Sequence, residues 1–127
     1  MYSNAMKAYR RADLESAPKT EVLDRLFGRL ESDLRAGQTA VAQGDVVTRA
    51  QSLDHATRIL TELIAALDPR AAPELCSNLE GLYRYCLTCI SRATLERSVR
   101  PLEQALGIVA TLRASFAEAA LAGTPAR

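Results

Sequence analysis

The sequence has few of the residues from which catalytic and metal sites are built. Its 127 residues include one histidine, three cysteines and no tryptophan. The odd number of cysteines fits no disulfide framework and is typical of reduced thiols in a cytoplasmic protein. No glycine-rich phosphate loop, nucleophile elbow or distinct carboxylate pair is present, so catalysis has little to build on. We expect a protein that is not an enzyme and needs no cofactor or metal.

Long apolar runs and an excess of charge of one sign are also missing. Runs such as LIAAL at 63–67 are far too short to span a bilayer, and the N-terminus lacks the apolar stretch of a secretory signal. Sixteen basic and fifteen acidic residues leave a net charge of +1. There is no basic surface for a phosphate backbone, so neither nucleic acid nor membrane insertion is expected.

What is present is an ordinary folded composition with a helical period. Apolar residues make up 48% of the chain and charged residues 24%, which is typical of one soluble domain. We expect an N-terminal arm at residues 1–17, a helical bundle at 18–121 and a frayed C-terminus at 122–127.

Four stretches place apolar residues at helical spacing, and turn signals separate them. Gly44-Asp45 and Asp68-Pro69 separate the first three stretches, and Ser98 is a plausible N-cap for the fourth, with Pro101 in its first turn. The four stripes consist of Leu23, Leu26, Phe27, Leu30 and Leu34; Val46, Ala50, Leu53, Thr57, Leu60, Ile64 and Leu67; Leu75, Leu79, Leu82, Cys86 and Ile90; Leu102, Leu106, Val109, Leu112 and Phe116. The pattern predicts an all-α fold, an antiparallel four-helix bundle.

The third stretch contains two tyrosines and two cysteines close together, in LEGLYRYCLTC at 79–89. Residues two apart on a helix point about 200° apart, so Tyr83 and Tyr85 cannot both face the core. We expect Tyr83 in the core or at its boundary. Cys86 and Cys89 lie mid-helix, away from the helix N-terminus that activates a redox Cys-x-x-Cys, and are interpreted as small buried hydrophobes.

His55 supports an alternative function. A histidine phosphotransfer domain is also a four-helix bundle of this size with one exposed histidine. His55 lies opposite the apolar stripe of its helix and is expected to be exposed, but the sequence after it, ATRIL, lacks the lysine and glycine usual in such domains. Di-iron bundles use Glu-x-x-His pairs. Ser52 stands where the glutamate before His55 would be, so no di-iron site is predicted.

The order of several motifs resembles the flagellar export chaperone family (FliS). The arm 8–18, AYRRADLESAP, is similar to the family's entry pattern, and Gly28 matches the glycine of its Leu-Tyr-Asp-Gly segment. The run LYRY at 82–85 leads without gaps to Ala93 and matches the Leu-Tyr-x-Tyr helix. On the last helix, the matching residues are Leu102, Gly107, Leu112, Arg113 and Phe116.

Three departures from the family pattern lie in the N-terminal arm, the first helix and the last helix. The serine before the proline is missing, and charged residues, including Asp24, interrupt a segment that is usually apolar. Phe116 stands where the family usually has tryptophan. The resemblance covers about residues 5–120. Because of the departures after Pro18, a bundle scaffold for another helical client remains an alternative.

The resemblance implies a chaperone that binds the C-terminal segment of unassembled flagellin, prevents its premature polymerisation in the cytoplasm and assists flagellar type III export. Contact with components of the export gate is also implied, for a chain that is a monomer or a weak homodimer. Helix-in-groove recognition suits such a client. Tyr85 is expected in a groove wall, and Tyr9 and Leu14 as a removable plug over the groove. The other expected client-binding residues are Phe27, Ile59, Leu63 and Tyr83.

Overall fold

The structure is a computed structural model that describes residues 19–123, with side chains described for residues 21–118. This part of the chain forms four helices and confirms the all-α prediction. The helices are α1 (Lys19–Gln43), α2 (Val46–Ala65), α3 (Pro73–Glu96) and α4 (Arg100–Gly123).

The helices form an antiparallel ring in which each packs mainly against its two neighbours. α1 contacts α2 and α4, while α3 contacts α4 and α2. Phe27, early in α1, packs against Phe116, late in α4, with ring centroids 5.5 Å apart. Gly37 approaches Leu53 so closely that a Cβ on this glycine would lie 2.5 Å from a leucine methyl carbon. Short links therefore produce the up-and-down bundle that the sequence predicts.

The turn between α1 and α2 forms where glycine and a capping residue were expected. Gly44 has a φ of +70°, a conformation that glycine adopts without a steric penalty. The backbone N–H of Asp45 donates to the Ala40 carbonyl at 2.8 Å, and the Asp45 carboxylate accepts from the Thr48 N–H at 3.1 Å. Hydrogen bonding from the Thr48 side chain, and next from the Thr48 N–H, lowers the pKa of Asp45 because it favours the charged carboxylate.

The link between α3 and α4 is shorter than the sequence indicates. A connection around 94–97 is predicted, but α3 continues to Glu96, and Arg97 closes it in a left-handed conformation with a φ of +52°. The Ser98 hydroxyl accepts a hydrogen bond from the Arg100 N–H at 3.2 Å. Pro101 lies in the first turn of α4, where a missing N–H breaks no helical bond.

The core contains most of the predicted stripes, with two corrections. Val46 and Ala50 are exposed in the first turns of α2, so the buried side of that helix begins with Ser52 and Leu53. On α3 the core includes Tyr83, fully buried, while Leu82 is exposed because it faces an opening between α3 and α4. No helix in the described part of the chain is both long and apolar enough to cross a membrane.

Candidate functional site

An open groove lies between α3 and α4 in the described part of the chain. It has a volume of about 510 Å³, within the usual range of ligand pockets, and its lining is mainly apolar. Residues of α3 form one wall and residues of α4 the other. The lining consists of Leu82, Tyr85, Glu103, Gln104, Gly107, Ile108, Thr111 and Leu112.

Two large side chains of α3 are left partly uncovered on the groove wall. Tyr85 is 42% exposed and Leu82 is 38% exposed. The two residues are three apart, so they lie on neighbouring positions of the same helix surface. The Tyr85 hydroxyl donates a long hydrogen bond of 3.4 Å to the Gln104 side-chain oxygen across the groove. The structure thus places Tyr85 in a groove wall and gives its polar end a partner on α4.

Four of the predicted client-binding residues lie in the bundle core. Phe27 and Tyr83 are fully buried, and Ile59 and Leu63 are almost so. Their side chains present no surface to a client in this conformation, and their burial holds the helices together. Tyr9 and Leu14 lie outside the described residues. Of the five predicted residues that the structure describes, Tyr85 is the one on the groove.

The predicted client-binding residues include none on the α4 wall. The predicted stripe of α4 runs through Leu106, which is partly buried, and contains Leu112 of this wall but not Ile108. Ile108 lies about 100° from Gly107 around the helix and widens the apolar surface toward α3. The sequence does contain a signal for this wall, because Ile108 is an apolar residue beside the predicted stripe and directly after Gly107.

Cys86 and Cys89, two of the three cysteines of α3, have a structural role. Cys86 and Cys89 are both fully buried and free. Burial raises the pKa of the Cys86 thiol to about 12, and it also raises that of Cys89. Because a thiol must ionise to act as a nucleophile or a metal ligand, both remain unreactive at neutral pH. In the part of the chain that the structure describes, no group of three or more histidine, cysteine, aspartate or glutamate side chains could hold a metal ion.

His55 is less exposed than its helical position predicts. Its side chain is 35% exposed and lies against α1, where Nδ1 contacts the Asp33 carboxylate and Nε2 lies 3.1 Å from an Arg29 nitrogen. Arginine can only donate, so Nε2 accepts and Nδ1 carries the proton that is donated to Asp33. A phosphoryl acceptor needs a ring nitrogen that presents its lone pair to a partner protein, and here that lone pair faces Arg29.

An arginine cluster joins α4 to α1 on the side away from the groove. The Arg113 guanidinium donates to both carboxylate oxygens of Asp24, at 2.8 and 3.1 Å, and to Glu31 at 2.7 Å. A Cβ on Gly28 would lie 3.2 Å from this guanidinium, so the missing side chain makes room for Arg113. Hydrogen bonds from Arg113 lower the pKa of Asp24. The charge of Asp24, a departure from the family pattern, is therefore matched on α4.

Charge in the groove is confined to one end. Glu103 is exposed and forms no ion pair with another described residue, while the centre is bounded by Tyr85, Gly107 and Ile108. Such a groove has apolar walls, a tyrosine hydroxyl and an uncompensated carboxylate at its rim. It can accept the apolar side of an amphipathic helix.

Two comparisons with known proteins give the same family. The family model described as "Flagellar protein FliS" matches residues 2–123. The flagellar secretion chaperone FliS of Salmonella typhimurium is 29% identical over 118 residues, which cover 88% of this chain and 87% of the relative. The family match extends over nearly the whole sequence, including all four helices. The chain belongs to the FliS family of flagellar secretion chaperones.

Proposed function

We propose that this chain is a flagellin-binding secretion chaperone whose α3/α4 groove holds the C-terminal helical segment of unassembled flagellin. The bound segment is kept from polymerising in the cytoplasm and is delivered, through export gate components, to the flagellar export apparatus. The observation that carries the proposal is the open apolar groove, with Tyr85 and Leu82 on its wall, in a member of a flagellar secretion chaperone family.

Burial of apolar area in the groove can offset the free-energy cost of ordering the client segment. A disordered segment that folds on binding loses about 2–5 kcal/mol in ordering. At about 25 cal/mol per Å² of apolar area, burial of roughly 200 Å² offsets the upper end of that cost. A few large apolar side chains seated between Leu82 and Ile108 would bury this much, so the groove is large enough for helix-in-groove binding.

Titration calorimetry of the full chain with the C-terminal segment of flagellin from the same organism tests the proposal. We expect a one-to-one complex with a negative heat-capacity change, together with a gain of helix in circular dichroism beyond the sum of the free components. Absence of binding at micromolar concentrations, with both components intact, would reject flagellin as the client. The search would then move to another helical client.

A further inference from the structure

Five glycines lie within residues whose side chains are described, and they differ in what explains them. Gly28 makes room for Arg113, Gly37 makes room for Leu53, and Gly44 has a positive φ. Gly81 and Gly107 have neither explanation. Each lies inside a helix, and a Cβ added to either would meet no atom within 4 Å apart from its chain neighbours and the backbone of its own helix. Glycine weakens a helix interior relative to alanine, so these two positions reduce stability without any packing benefit inside the chain.

Both unexplained glycines lie beside the groove. Gly107 is part of its lining on α4. Gly81 lies one turn before Tyr85 on α3, about 40° from it around the helix, and so borders the same side. An absent side chain lets another backbone or a bulky side chain approach closely. Resting on the proposed function, we infer that Gly107 selects the client segment by receiving one of its large apolar side chains, while Gly81 allows the client helix to approach the rim.

The charge at the rim specifies a second feature of the occupant. Glu103 precedes Gly107 by four residues, one turn along α4, and has no ion pair with another described residue. A basic client residue would therefore lie near Glu103 when the apolar side chain is seated at Gly107. On a client helix packed along α4, these two residues are three or four positions apart. The occupant is an amphipathic helix with a large apolar residue and a lysine or arginine at that spacing.

Affinity measurements on Gly107→Leu test the inference, with Ala110→Leu as a matched control. Ala110 is also exposed on α4 but lies outside the groove lining. Gly107→Leu should weaken binding of the flagellin segment about tenfold or more, because its side chain fills the space that the client requires. Ala110→Leu should change the affinity by less than about twofold, as expected of a surface substitution outside the interface.

Thermal unfolding separates a binding function from a structural one. Gly107→Ala and Gly81→Ala should raise Tm by about 2–5 °C, since alanine favours a helix and meets no neighbour. The same variants should bind the segment more weakly than the wild-type chain. Variants that are more stable yet bind less well support the inference, and this pair of alanine variants still tests it if the leucine variant does not fold.

Complementary changes in the client identify the apolar side chain. Large apolar residues of the segment are replaced by alanine one at a time, and each peptide is titrated into Gly107→Leu. One replacement should restore much of the lost affinity, which is a coupling expected of residues in contact. Glu103→Gln should weaken binding at low salt and have little effect at about 1 M salt.

The outcomes distinguish this inference from the proposed function. If the wild-type chain binds the segment and the Gly107 variants bind it equally well, the inference is wrong and the proposed function stands. If the wild-type chain does not bind the segment, both are rejected. If Ala110→Leu weakens binding as much as Gly107→Leu, the client covers a different surface of α4 and the inference is again wrong.

Discussion

The two sides of α4 differ in how completely they are filled. Toward α1, Arg113 lies over Gly28 and binds Asp24 and Glu31, and Phe116 packs on Phe27. Toward α3, the space beside Gly107 is open. One helix thus has a side closed by aromatic packing and ion pairs and a side left open between apolar walls. The closed side stabilises the bundle, and the open side is available to a partner.

The largest difference in stability between the two sides of α4 is expected when an aromatic side chain on each side is replaced by alanine. Phe27→Ala should reduce the free energy of unfolding by about 3–5 kcal/mol, because it leaves a cavity in the core beside Phe116. Tyr85→Ala, on the half-exposed groove wall, should cost less than about 1 kcal/mol. Urea unfolding measures both. Equal losses would show that Tyr85 is part of the folding core.

The arginine cluster gives the next largest effect. Arg113→Met removes three hydrogen bonds and leaves Glu31, whose side chain is only 10% exposed, without its partner. We expect a loss of about 1–2 kcal/mol, mainly from Glu31, because the pair with the half-exposed Asp24 is screened by water. Arg84→Met, which breaks a solvent-exposed pair with Glu80, is the control and should be nearly neutral. Equal urea midpoints for the two variants would contradict a stabilising role for the arginine cluster.

The contribution of the cluster should depend on pH in one direction. Arg113 lowers the pKa of Asp24 in the folded chain, so the stabilisation is present above the unfolded value of about 3.9. It is lost as the pH falls through the lower folded pKa. The stability difference between the wild-type chain and Arg113→Met should therefore narrow below about pH 4. Urea midpoints over a pH series measure it, and a difference that widens in acid would contradict this assignment.

His55 should give the smallest effect. Its contacts with Asp33 and Arg29 join α1 and α2 but remain partly exposed. His55→Gln should lower the free energy of unfolding by less than about 1 kcal/mol and leave affinity for the flagellin segment unchanged. Unfolding and titration of the same preparation check both. Loss of binding would place His55 in the client interface and shift attention from α3 and α4 to α1 and α2.

The fold could be predicted from the sequence more fully than the groove. Local signals such as Gly44-Asp45 and Pro73 specify where helices end and begin, and spacing identifies most of the core. The same spacing could not decide between Leu82 and Tyr83, which are adjacent on α3 and both apolar. The choice depends on how α3 rotates against α4, and that rotation is set by packing along the whole helix.

Contacts between distant parts of the chain could not be predicted. Asp24 and Arg113 are 89 residues apart, and nothing in either neighbourhood pairs them. In the sequence, Asp24 is a charge that interrupts a segment usually apolar in the family. Its partner, Arg113, becomes evident only when α4 is packed beside α1. Gly107 likewise has open space beside it because a groove lies between α3 and α4 there, and that groove is a property of the packed bundle.

The most direct test of the central claim is the affinity of the flagellin segment for Leu82→Lys compared with Val47→Lys. Leu82 is on the groove wall, while Val47 is an exposed apolar residue of α2 outside the groove. We expect Leu82→Lys to weaken binding at least about tenfold, because a charge would be buried against the client, and Val47→Lys to change it less than about twofold. The reverse pattern would show that the client binds elsewhere on the bundle.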